Sequence, residues 1–262
     1  MLPAYFTTSH SSAFDMKYFA KINYLGTDFH GFQVQPSERT VQGELSQALR
    51  QALGAPCTVT GCSRTDAGVH ANEFCVKIEC EGATVPADKL PVAVAPYLPN
   101  DISLYYAEEC DEKFHPRYDV ISKEYLYRIR NRRIYDPFDF GRVWFFPREI
   151  SENGIALMNE AAKYIVGKKD FSAFMSEGSD VEDTVREVYY LNVVKNGDTI
   201  EIRISANGFL YNMVRIIVGT LIDVAVGKIK PENLSGIIES KDRKNAGMTA
   251  PPEGLYLNKV KY

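Results

Sequence analysis

A single tryptophan, an odd five cysteines and no uninterrupted apolar run set the first limits on this chain. The longest mostly apolar stretch, residues 209–226, is broken by Arg215 and Asp223. A membrane-spanning helix needs about 20 apolar residues, so no span is expected. The first residues, MLPAYFTTSHSSAFDM, lack a basic start followed by an apolar stretch. They do not read as a secretory signal, and residues 1–16 are expected to form a flexible extension. Cys57 and Cys62, then Cys75 and Cys80, repeat one spacing, which raises the question of zinc. NEFCVKIEC alternates like a strand, and an odd separation on a strand puts two side chains on opposite faces. Zinc ligands usually come in closer pairs. No metal is therefore expected, and the cysteines read as reduced thiols of a cytoplasmic protein. No second carboxylate lies near Asp66 in sequence, so the two-acid arrangement of a glycosidase is missing. Neither Ser63 nor Ser172 sits in a hydrolase nucleophile elbow.

What is present is a globular composition. Hydrophobic residues make up 45% of the 262, enough for a sizeable core. The 16 tyrosines supply rings that fill a core or stack on a base. The net charge is −4, but residues 113–148 hold Lys113, Arg117, Lys123, Arg128, Arg130, Arg132, Arg133, Arg142 and Arg148 against four acids. That window carries +5 on an otherwise acidic body. Such a stripe suits a polyanion, and equally a solvated strand face.

The periodicities outline an α+β fold of two similar halves, with mostly antiparallel sheets, flanking helices and a cleft between them. KYFAKINYLG alternates as a strand. Thr40 is a good N-cap for a helix whose stripe is Val41, Leu45, Leu49 and Leu53, ended by Gly54. CTVTGC and FCVKIEC are strands joined through RTDAG, which reads as a tight turn. Residues 88–97 suggest a helix despite Pro91 and Pro96, and 102–107 a strand. The first half, 17–112, thus reads β-α-β-β-α-β. The second, 113–262, has a strand at KEYLYRIRN, a helix from Ser151 to Ile165, and a hairpin through Asn196-Gly197-Asp198. A long helix over 209–226, a short one at LSGIIES and a final strand at GLYLNKVKY complete it.

Taken on its residues alone, Asp66 in CSRTDAGVH is a turn residue, since Asp and Gly make turns readily. His70 has no visible acid or nucleophile partner, and a structural role is its default. Arg215 is the anomaly. A guanidinium inside NMVRIIVG is costly unless it meets an anion, and Asp66 would fit.

CSRTDAGVHA, residues 62–71, resembles the signature of the TruA family of tRNA pseudouridine synthases. YLGTDFHGFQVQP with TVQGEL, LPNDISL, FHPRYDVISKEYLYRI, DFSAF, GFLYNMVRIIVGTLIDV and APPEGLYL follow in that family's order. The likeness runs from about Lys17 to the C-terminus. It implies the pseudouridine synthase fold and an isomerase that converts uridine to pseudouridine in the anticodon arm of tRNA, at positions 38 to 40. It also implies a cytoplasmic homodimer needing neither cofactor nor metal. The family's catalytic aspartate falls on Asp66, its active-site tyrosine on Tyr125 and its arginine on Arg215. Its base-packing leucine falls on Leu255. Arg64, His70 and Lys123 are the further candidates for holding the substrate. Ser63 stands where the family commonly has glycine. The Arg215 charge is expected to hold Asp66 firmly ionised. The Tyr125 hydroxyl is expected to help remove the C5 proton.

Overall fold

The computed structural model describes residues 16–178 and 181–262, and among these the strands join into one ten-stranded sheet. The first half follows the predicted order: β1 (Met16–Tyr24), α1 (Val41–Leu53), β2 (Cys57–Gly61), β3 (His70–Cys80), α2 (Leu90–Val94) and β4 (Ile102–Glu109). The second contains β5 (Ser122–Arg130), β6 (Trp144–Phe145), α3 (Glu152–Ile165), β7 (Gly167–Asp170), β8 (Val185–Asn196) and β9 (Thr199–Ala206). It ends with α4 (Met213–Ala225), α5 (Asn233–Ser240) and β10 (Leu255–Lys261).

Local signals act where expected. The Thr40 hydroxyl accepts from Gly43 N, and Gly54 ends α1 in the left-handed region. Ser151 caps α3 by accepting from Gly154 N. The stripe of α1 (Val41, Leu45, Ala48 and Leu49) is buried in the core with Tyr18 and Ile22 of β1. On β5, Tyr125, Tyr127 and Ile129 lie opposite Ile204, Ile202 and Ile200 of β9. Their shared face is closed by α3, which packs on β8 and on α4.

Four expectations are corrected. Met16 is not part of an extension but the first residue of β1, paired with Cys80; residues 1–15 lie outside the described residues. The helix expected over 88–97 is split into three short pieces, because Pro91 and Pro96 remove backbone donors. The helix expected over 209–226 begins only at Met213, because Asn212 adopts a left-handed conformation (φ 59°) that a helix cannot continue through. Finally, Cys57 and Cys80 form a disulfide rather than two thiols. The antiparallel register sets them directly opposite, with Cα atoms 4.3 Å apart. That pairing depends on the register of β2 against β3, which the spacing within each cysteine pair does not reveal. Cys62, Cys75 and Cys110 remain free.

The strand order is β4-β1-β3-β10-β5-β9-β8-β7, with β2 on β3 and β6 on β5. The expected boundary at 112 falls between β4 and β5, yet the sheet runs through it, because the C-terminal strand is inserted at the seam. β10 pairs antiparallel with β5 and, over Tyr256–His70 and Leu257–Ala71, parallel with β3. One edge of β3 is thus divided. Residues 76–80 pair with β2, and residues 70–71 pair with β10. The 62–69 connection emerges at that division, in the middle of the sheet.

His70 lies at this seam, which corrects its expected place at the substrate. It is fully buried. Its Nδ1 accepts from Gly26 N at 2.8 Å, its Nε2 lies 3.1 Å from the Glu253 carbonyl, and its ring stacks on Tyr256. An Nε2–H tautomer satisfies both contacts. Burial lowers its pKa to about 4, so the ring is neutral. The sign follows: a depressed histidine pKa adds stability above the unfolded value of about 6.5, and that stability fades as pH falls towards 4. His70→Ala is expected to cost about 2–4 kcal/mol, since it strands the Gly26 donor and removes the stack. Denaturant titration at pH 7 measures this, and the gap to wild type should narrow at pH 4–5.

Candidate active site

The segment carrying Asp66 is an eight-residue loop, 62–69, rather than the tight turn expected. β3 pairs with β2 only from Val76, opposite Gly61, which leaves the intervening chain free to arch outward. The arch is fixed by the β1–α1 connection. Phe32 N donates to Thr65 O at 3.2 Å, Gly68 N donates to Phe29 O at 3.2 Å, and the Thr65 and Tyr24 hydroxyls meet at 2.8 Å. Gly31 is required where the two segments touch. Its φ is +86°, and a Cβ there would stand 2.5 Å from Thr65 O. The conspicuous YLGTDFHGF stretch is therefore the scaffold of the Asp66 loop.

The opposite wall is the start of α4. Arg215 is held in the first turn by two acceptors: Nε donates to Ala250 O at 2.7 Å and Nη1 to Asn212 Oδ1 at 2.7 Å. Nη1 also stands 3.7 Å from Asp66 Oδ2. The structure thus brings together two residues almost 150 positions apart, at ion-pair distance but beyond hydrogen-bonding reach. Among the described residues the Asp66 carboxylate accepts no hydrogen bond.

Tyr125 of β5 and Leu255 of β10 join them, with Phe209 edge-on to the Tyr125 ring at 5.1 Å. The cavity they line measures about 600 Å³. Arg64, Lys123 and Arg117 line it too, while His70 does not. Arg64 is exposed. Lys123 is pinned beneath the loop, donating to Cys62 O at 2.7 Å. Of the nine basic residues in the 113–148 stripe, only Arg117 and Lys123 reach this cavity. Arg128, Arg130 and Arg132 are instead committed to Glu201, Asp139 and Asp136. Two site residues give no warning in the sequence. Asn212 looks like ordinary helix, and Ser63 looks like a neutral replacement of glycine, yet its side chain counters the upward shift of the Tyr125 phenol.

The electrostatics revise one expectation, the firmly ionised Asp66. Burial raises the Asp66 pKa, and the Arg215 charge offsets only part of this. The carboxylate is thus held less firmly ionised than the arginine alone would make it, because desolvation outweighs a guanidinium kept beyond hydrogen-bond range. Burial also lifts the Tyr125 phenol above its ordinary value, with Ser63 opposing. The resting group is a neutral phenol, not a phenolate base.

The profile of the family described as tRNA pseudouridine synthase matches residues 20–119 and 161–262. The chain belongs to the tRNA pseudouridine synthase family. Among its relatives, a Thermoanaerobacter protein named tRNA pseudouridine synthase A is 45% identical over 243 residues, covering 92% of this chain and 97% of its own. The Bacillus pumilus protein of the same name is 40% identical over 251 residues, covering 94% and 99%. tRNA pseudouridine synthase A 2 of Clostridium tetani is 40% identical over 245 residues, covering 92% and 97%.

Two outcomes are expected from this geometry. Gly31→Ala should displace the Thr65–Asp66 backbone and lower turnover about a hundredfold with the circular dichroism spectrum kept, measured by single-turnover kinetics. A carboxylate whose pKa is raised by folding stabilises the fold below the unfolded value of about 3.9 and loses that contribution as pH rises through the folded value. At pH 7 the ionised Asp66 is therefore a cost, reduced by the solvent that still reaches its side chain, and Asp66→Asn should raise Tm. Calorimetry should show the difference closing near pH 4.

Proposed function

We propose that Asp66 is the group through which this tRNA pseudouridine synthase isomerises uridine. The reading is carried by one observation: a carboxylate that accepts no hydrogen bond among the described residues, beside a tethered guanidinium, in a cavity with a tyrosine ring and a leucine. In the reaction the N1–C1′ bond breaks and a C5–C1′ bond forms, while N1 gains a proton and C5 loses one. Atoms and electrons balance within the nucleotide. An ionised carboxylate beside C1′ can add to that carbon or take the 2′ proton, and it stabilises positive charge developing on the ribose. Both routes begin from an unbridged Asp66.

The uridine must leave its stack, which costs a few kcal/mol. Tyr125 and Leu255 offset part of this by receiving the base while it turns. The neutral Tyr125 phenol orients the base; as a proton acceptor from C5 it acts only while passing its own proton onward. Arg64 and Arg117, which both line the cavity, supply positive charge for the phosphates next to the flipped nucleotide. By family likeness, the target uridines lie in the anticodon arm and the protein works as a cytoplasmic homodimer.

The test uses tRNA tritiated at uridine C5, because forming the C5–C1′ bond must release that tritium. Wild type should release it, and Asp66→Asn should slow release by at least about a thousandfold with tRNA affinity kept. Release by the variant at the wild-type rate would remove Asp66 from the chemistry. Binding without release by wild type would make the protein a catalytically silent tRNA clamp. Arg215→Met should lower turnover about a hundredfold and affinity much less. The reverse pattern would make Arg215 a phosphate contact.

A further inference from the structure

Arg215 and Asp66 do not close into the bidentate pair that a guanidinium and a carboxylate form when free to do so. The distance is 3.7 Å at the nearest Nη1–Oδ2 approach. Two acceptors hold the fork back. One is the Ala250 carbonyl, fixed by the backbone; Ala250 N in turn donates to Arg215 O at 3.1 Å. The other is a side chain, Asn212 Oδ1, which takes Nη1 at 2.7 Å. Nη1 is thus the atom nearest both Asp66 and Asn212, and Asn212 has the shorter bond.

Asn212 is built for this. It occupies the N-cap of α4, where an asparagine side chain ordinarily accepts from the helix backbone, yet it makes no such bond. Its left-handed backbone (φ 59°) turns the side chain away from the helix end. Its Nδ2 donates to Ser176 Oγ at 3.0 Å, which fixes the amide orientation and leaves Oδ1 for the arginine. Ser176 is itself tied to this loop, its N donating to Tyr211 O at 3.1 Å.

We infer that Asn212 is a positioning residue that keeps the Asp66 carboxylate open by holding Arg215 away from it. Closed, the pair would occupy the oxygens the ribose needs, and each turnover would begin by breaking a charge-assisted bond. Open, Arg215 still lends its charge to the cavity. The inference rests on Asp66 being the reacting group. The other titratable or charged groups lining the Asp66 cavity are Tyr125 and Lys123 from β5, Arg64 from its own loop, Arg117 from the segment before β5 and Tyr211 from the segment before α4. Substituting Asn212 alters none of these.

Asn212→Gly keeps the left-handed backbone and removes the clamp. Arg215 should then close on Asp66. Turnover should fall about tenfold or more with KM for tRNA nearly unchanged. The acid limb of the kcat profile should move down by about half a pH unit or more, since hydrogen bonds from Arg215 favour the charged carboxylate. Asn212→Asp keeps an oxygen acceptor and should stay within about threefold of wild-type kcat, its acid limb no lower than wild type. Loss of turnover in Asn212→Gly with the acid limb unmoved would make Asn212 merely structural and overturn the inference. So would wild-type turnover in that variant. If Asn212→Gly does not fold, Ser176→Ala, which releases the Nδ2 end, should move the limb in the same direction by less; an unmoved limb there overturns the inference equally. Carbon-13 NMR of Asp66 follows the clamp without activity. A wild-type enzyme that releases no tritium would thus count against the catalytic reading, and an unshifted Asp66 titration against the clamp.

Discussion

The short parallel pairing of β10 with β3 is the constraint on which the site depends. Only Tyr256–His70 and Leu257–Ala71 make it. Through them the last strand of the chain sits between the strand that begins just after the Asp66 loop and the strand that carries Tyr125. A slip of one residue would turn every side chain of β10 to the other face, taking Leu255 out of the cavity. The seam is accordingly pinned from both sides. The His70 ring stacks on Tyr256 and joins Gly26 to Glu253, while Tyr127 donates to Pro251 O at 2.7 Å. Burying a neutral histidine there ties the β1–α1 scaffold to the segment that delivers Leu255.

Around that seam the cavity is assembled from parts that would be unremarkable alone. Its charge balance is a contest between desolvation and one cation. Burial pushes Asp66 towards neutrality, and Arg215 opposes it from beyond hydrogen-bond range. The outcome is an ionisable carboxylate that is neither bridged nor fully solvated. This is a cost to the fold, and such a cost is what marks the group as a functional candidate. The same logic explains the basic residues. Those that reach the cavity are few, and three of the nine in the stripe that looked available in sequence, Arg128, Arg130 and Arg132, are spent on intramolecular pairs along β5 and the loop after it.

Much of this was legible in one dimension. Thr40, Gly54 and Ser151 mark helix ends because caps are local chemistry, and the alternation of KEYLYRIRN marks a strand because one face meets a core. Arg215 in an apolar helix announced an anionic partner, and the structure supplies Asp66 at the edge of the cavity. Other features were not legible because they depend on register or on distant contacts. The Cys57–Cys80 disulfide follows from which residue of β2 lies opposite which of β3. The late start of α4 follows from the left-handed Asn212, whose side chain answers to Ser176 and Arg215 rather than to its neighbours. His70 lies beside the signature in sequence, yet it faces the seam.

The sequence by itself determined most of the elements, the family and the candidates proposed as reacting groups, since these rest on local propensity and on residue types that the chemistry requires. The tertiary structure alone decided the distances. It set Arg215 near Asp66 without letting the two close, left Tyr125 a neutral phenol, and removed His70 and most of the basic stripe from the cavity. The physical reason is that desolvation and ion pairing are fixed by what surrounds a group in space, and here the surroundings come from segments far apart in the chain.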